Sequence, residues 1–180
     1  CLCVFDIDRT LTGKQGVQAP TCPDNRVLRR VWDDAYGGGE LTLSPLARHG
    51  VLRTACGACK IGIVSHGTAG GRTMKRIMRG LIRSGSDHWS SPGNVHSPMV
   101  LGCADKPPCV RDVMDWYNRH GARISPSDVY LFDDKGANIE AFRGGPFNAH
   151  RISCRALDGG IGLCGAEPHE IRLERGVTSC

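Results

Sequence analysis

Three short apolar runs punctuate the chain, CLCVF at 1–5, IGIV at 61–64 and VYLF at 129–132, and each stops abruptly at polar residues. Unbroken runs of this length fit strands buried on both faces, the habit of parallel sheets. Segments 23–36 (PDNRVLRRVWDDAY), 68–85 and 106–121 lie between them and carry helical character. In the last, prolines stand near the start, Val110, Val113, Met114 and Tyr117 recur at helical spacing, and Gly121 marks the stop. Weaker strand signals lie at 94–101 and 149–156, while 36–40 and 84–94 read as loops on their glycine, proline and serine content. The tail 157–180, with DGGIGLCG, matches no single element. Strand and helix alternate, which predicts an α/β fold: a doubly wound, Rossmann-like parallel sheet flanked by helices, in one domain over 1–180. Segment 14–55 is free to add a small lid.

Composition changes this picture little. At 180 residues, 40% apolar and 23% charged, the chain suits one well-buried core. No apolar run approaches the ~20 residues of a membrane helix, so a soluble protein is expected. The net charge of +5, concentrated partly in GRTMKRIMRGLIR, favours anionic ligands. It falls well short of a dedicated nucleic-acid binder, and nucleic acid is not indicated as a partner.

Ten cysteines, scattered from Cys1 to Cys180, change it more. An even, unclustered set suits disulfides in an oxidising compartment, hence secretion or an endomembrane lumen. Reduced core thiols in a cytoplasmic protein are the alternative. A first residue that is not Met fits a removed signal peptide and equally a trimmed chain. The lone C-x-x-C of Cys56 and Cys59 reads as structural disulfide or buried thiol before redox pair or half a zinc site.

In an open parallel sheet, ligands bind beyond the carboxyl ends of the strands. The polar endings fall there: Asp6 and Asp8 after the first run, Ser65 after the second, Asp133 and Asp134 after the third. Residues two apart in an extended chain share a face, so Asp6 and Asp8 are expected to converge. A divalent cation would relieve their repulsion, and with Asp134 they form an oxygen-rich set suited to Mg2+. Lys106 opens the helix at DKPPC, where its ammonium can offset the acidic cluster.

DIDRT at 6–10, Ser65 in IGIVSHG, Lys106 in DKPPC and LFDDKGAN stand in the order and strand positions of the four motifs of the haloacid dehalogenase superfamily. The chain resembles that family from about Leu2 to Phe142. The resemblance implies Asp6 as the nucleophile that forms an aspartyl-phosphate and Asp8 as general acid, then base. It implies Thr10 as support for the loop and Ser65 and Lys106 as holders of the phosphoryl group; His66, directly after Ser65, reads equally as a substrate contact and as a surface loop histidine. Asp134 would be the third magnesium ligand, joined by Asp6 and by Asp8 through its carbonyl, with Asp133 as ligand or support. Dehalogenases of this family need only the nucleophile, so the presence of Asp8 favours a phosphatase. About 60 positions separate Asp6 from Ser65 and about 40 separate Ser65 from Lys106, which leaves no room for the large cap this family inserts there. A capless site suits a bulky, even macromolecular, phosphorylated substrate.

Other readings stay beside this one. Arg9, often glycine in this family, reads as solvated or salt-bridged before phosphate contact. Asn138 either orients a site carboxylate or caps a turn. The cations Arg72, Lys75, Arg76, Arg79 and Arg83 read as a solvated helix face, with Arg72 nearest the crevice. The functional alternatives are a non-catalytic metal- or phosphate-binding protein of the same fold, a phosphotransferase or phosphomutase of the family, and a disulfide oxidoreductase working through Cys56 and Cys59.

Overall fold

Leu2, Cys3, Val4 and Phe5 are all fully buried, and their side chains alternate between two separate hydrophobic clusters. That is the signature of a strand covered on both faces. In a computed structural model, which describes residues 1–83 and 88–180, they form strand β1 (Leu2–Phe5). It lies between β4 (Lys60–Val64) and β6 (Val129–Asp133), both parallel to it, with Phe5 opposite Ile63 and Phe132. Beyond them lie β5 (Met99–Val100) on one side and β7 (Asn148–Arg151) and β10 (Val177–Thr178) on the other. The six strands run parallel in the order β10-β7-β6-β1-β4-β5. The chain leaves β1 toward one edge and returns to β6 on its other side, so the order reverses beside β1 and opens a crevice at the carboxyl ends.

Helices cover both faces. Cys3, Phe5, Ile61, Ile63 and Phe132 pack with Met74, Met78 and Ile82 of α2 (Arg72–Ile82) and with Leu46 of α1 (Pro45–His49). Leu2, Val4, Val64 and Leu131 pack with Val110 and Val113 of α3 (Lys106–Arg119) and Ile139 of α4 (Gly136–Glu140). Gly62 lets α3 approach β4: a Cβ there would lie 2.9 Å from Val113 Cγ1.

The expectation of a helix at 23–36 is wrong. That segment holds strand β2 (Arg26–Asp33), antiparallel to β3 (Gly39–Leu43), in a hairpin. The pairing slips between Val27 and Trp32, and Arg30 there has φ +63°. This irregularity interrupts the two-residue alternation and lets both Leu28 and Val31 rest on the core, a spacing that imitates a helix in the sequence. The 94–101 strand shrinks to Met99–Val100 and the 149–156 strand ends at Arg151. Helix α2 covers 72–82 of the expected 68–85; residues 84–87, part of the expected loop and helix end, lie outside the described residues. The tail forms a small hairpin, β8 (Leu157–Asp158) with β9 (Ile161–Gly162), before β10.

All ten cysteines pair: Cys1–Cys59, Cys3–Cys56, Cys22–Cys164, Cys103–Cys109 and Cys154–Cys180. The C-x-x-C cysteines therefore bond to Cys1 and to Cys3 of β1 and not to each other, which removes the grounds for a Cys56/Cys59 redox couple. Five disulfides fit an oxidising, secreted environment. Among the described residues no helix is long and apolar enough to cross a membrane.

Candidate active site

Strand β1 delivers Asp6 to the crevice, and a last sheet bond, from its N–H to the Phe132 carbonyl (3.0 Å), fixes it there. Asp8 keeps an extended backbone (φ −71°, ψ 123°), and the chain turns at Arg9 (φ 64°). Ile7–Leu11 make one wide turn closed by the Thr12 N–H on the Ile7 carbonyl (3.0 Å). Thr12 Oγ1 accepts from the Arg9 N–H (3.1 Å) and donates to the Ile7 carbonyl (3.2 Å), bracing the turn. Asp6 and Asp8 do line one pocket of about 280 Å3, with Tyr36, His66, Lys106 and Asp134 among its walls. Asp8 lies just beyond β1 but its backbone is still extended, so the two carboxylates converge as expected.

Lys106 opens α3, and Pro107 and Pro108 fix the backbone of that first turn. The Cys103–Cys109 disulfide brackets it. Its ammonium, 2% exposed, donates to Asp6 Oδ1 and to the Val64 carbonyl, each at 2.6 Å, and lies 3.4 Å from Asp133 Oδ2. Asp133 is fully buried and already satisfied: Oδ1 accepts from the Lys135 N–H and Oδ2 from Asn138 Nδ2, both at 2.9 Å. Asn138 thus orients a site carboxylate. Asp134 Oδ2 accepts from the Gly162 N–H (2.9 Å), which links the tail hairpin to the site.

Four carboxylates meet one buried ammonium, and the imbalance shows in their protonation. Burial, then the Asp6 and Asp33 charges, push Asp8 up to about 8. Burial and Asp6 push Asp134 up to about 7 and Asp133 to about 6. Burial draws the Lys106 ammonium down, but Asp6 and Asp133 outweigh it and hold it above its ordinary value. Asp6, Asp133 and Asp134 each present an oxygen, all within 4.8 Å of one another. Hard oxygen donors, close together and short of positive charge, fit a divalent cation such as Mg2+. The Asp8 carboxylate is not in that set, which leaves it free for proton transfer.

Ser65 directly follows β4 and does not line the pocket; it is 1% exposed, with its hydroxyl unpartnered among the described residues. A buried hydroxyl without a partner is costly unless a ligand supplies one. His66 is exposed and lines the pocket. Thr10 is fully buried and does not line it; its carbonyl holds the tail through the Ala166 N–H (3.0 Å). Arg9 is not solvated. At 3% exposure it donates to the Gly162 carbonyl (3.2 Å), lies 3.8 Å from Asp158, and sits 4.9 Å from the centroid of the Tyr36 ring.

Tyr36, at the hairpin tip within 14–55, was not among the residues the sequence singled out, and neither were Lys135 and Thr12. Nothing local in YGGGE signals that a fold-back of β2 and β3 carries the ring to the pocket. Comparison of the chain with protein-family models, with curated proteins and with solved structures gave no match.

Proposed function

We propose that the protein is a capless, magnesium-dependent phosphatase of the haloacid dehalogenase type that hydrolyses phosphate monoesters through Asp6. The observation that carries the reading is the Lys106–Asp6 contact of 2.6 Å in a pocket that also holds Asp8 and Asp134. An ammonium on one oxygen orients the Asp6 carboxylate, which lines the pocket, for attack. As the Asp6–phosphorus bond forms, the bond to the leaving oxygen breaks, and Asp8 gives that oxygen its proton. A carboxyl pushed up to about 8 carries that proton at neutral pH. Asp8, now ionised, takes a proton from water, whose oxygen attacks phosphorus and releases Asp6 and inorganic phosphate. Ser65 and Lys106 donate to the phosphoryl oxygens throughout. A magnesium ion held by Asp6 and Asp134, with Asp133 behind them, would neutralise phosphoryl charge.

The test is hydrolysis of an aryl phosphate with magnesium, with EDTA, and with Asp6→Asn. Loss of turnover on chelation and on substitution supports the reading. Activity indifferent to both sinks it, and an intact protein inert toward a broad phosphate panel favours a metal- or phosphate-binding protein of the same fold.

A further inference from the structure

The face of α2 away from the core carries a second concavity, about 430 Å3, lined by Gly71, Arg72, Lys75, Arg76, Arg79 and Trp89. An amphipathic helix ordinarily mixes charges on its wet face, as α3 does with Arg111, Asp112, Asp115 and Arg119. Helix α2 has no acidic residue at all. Arg72 and Lys75 stand in its first turns, where the helix dipole disfavours cations. Among the described residues no carboxylate pairs with Arg72, Lys75 or Arg76. The repulsion among Arg72, Lys75 and Arg76, within about 6 Å of helix, is relieved by no carboxylate among the described residues, and a polyanion would relieve it.

Placement relates the groove to the catalytic pocket. His66 and Gly67 line the pocket, Gly71 and Arg72 line the groove, and the 67–71 turn joins them. The hairpin tip packs on that turn: Thr68 Oγ1 donates to Asp34 (3.2 Å), and a Cβ on Gly70 would lie 3.1 Å from the Trp32 carbonyl oxygen. Tyr36, 56% exposed, forms a pocket wall, and Trp89, half-buried against the core, forms a groove wall. Cations alternating with flat aromatic surfaces are how single-stranded nucleic acid is held, phosphates on the cations and bases on the rings. The modest net charge conceals this, because the excess is gathered on one helix.

We propose that the α2 groove binds a single-stranded oligonucleotide and leads its terminal phosphate past His66 into the catalytic pocket. The terminal-phosphate half rests on the phosphatase reading; binding in the groove does not.

The probe is a ten-nucleotide oligothymidylate with a dye at one end and a phosphate at the other, followed by fluorescence anisotropy. Three cation contacts on a single strand predict a slope of log K against log salt of about −2. Lys75→Glu with Arg76→Glu lowers affinity at least tenfold and removes about 1.4 from that slope, leaving hydrolysis of a small aryl phosphate unchanged. Failure of the native protein to bind at low salt, or equal binding by the variant, overturns the groove. A sulfated glycan of equal charge that displaces the oligonucleotide equally well, with no loss of affinity in Trp89→Ala, overturns the assignment to nucleic acid. Groove binding without release of the terminal phosphate, in a protein active on the aryl ester, overturns the path into the pocket; inactivity on both esters points instead to failure of the phosphatase reading.

Discussion

Lys106 Nζ and Asp6 Oδ1 lie 2.6 Å apart, from residues 100 positions apart in the chain and both almost wholly buried. The pair sits where β1 ends and α3 begins. Lys106→Met keeps the apolar stem but leaves Asp6 and Asp133 without their cation. Removing one partner of a buried pair costs about 3–5 kcal/mol, and the lost stabilisation of phosphoryl charge lowers kcat about 10²–10³-fold. Denaturant unfolding at neutral pH and aryl phosphate turnover measure the two losses separately.

Protonation of Asp8 and Asp134 makes the metal-free protein's stability fall with pH. Both groups have folded values far above the ordinary 3.8, about 8 and about 7. Between pH 4 and 8 the folded state therefore holds protons that the unfolded chain has released, and stability declines as pH rises. In EDTA, Tm is expected to be lower at pH 8 than at pH 5. Magnesium should restore most of the difference at pH 8 and add little at pH 5, where protons already neutralise the cluster. A Tm indifferent to magnesium at pH 8 contradicts the cation site.

The Cys22–Cys164 and Cys103–Cys109 disulfides separate stability from activity. The first closes 142 positions of chain and the second six. Chain entropy gives about 5 kcal/mol for the long closure and about half that for the short one. Replacing Cys22 and Cys164 with Ser lowers Tm most and leaves kcat nearly unchanged. Replacing Cys103 and Cys109 releases the turn that carries Lys106, so kcat falls with a smaller loss of Tm. A thiol titration of the unreduced, denatured native protein should find no free thiol.

Arg9 joins three elements from a left-handed backbone, φ +64°. Arg9→Gly relieves the backbone but removes the contacts with Tyr36, Gly162 and Asp158. The hairpin tip loses its support over the pocket, so KM for bulky esters rises several-fold while kcat for a small aryl ester changes little. Arg9→Lys retains the charge but not the planar stack, and recovers KM only in part.

Local pattern made much of this molecule legible. The apolar runs at 1–5, 61–64 and 129–132 became β1, β4 and β6, because burial on both faces demands uninterrupted apolar side chains. Prolines and spacing marked α3 to within two residues. The aspartates ending β1 and β6 did come together, since parallel strands share one carboxyl edge, whereas Ser65 after β4 is buried and does not line the pocket. Segment 23–36 misled because an irregular β pairing copies helical spacing; of the two readings of Arg9 the salt-bridged one held, through Asp158, while its burial depends on Tyr36 and Gly162, all remote in sequence.

By itself, then, the sequence determined the alternation of strand and helix and the supply of carboxylates and one lysine to a single crevice, both consequences of short-range periodicity. Tertiary structure decided which cysteines pair, that Asp133 braces Lys106 and the following loop while Asp8 stands outside the oxygen cluster, that Tyr36 walls the pocket, and that the α2 cations line a groove beside it. Those outcomes depend on sheet order and on the approach of distant segments, which no local spacing encodes.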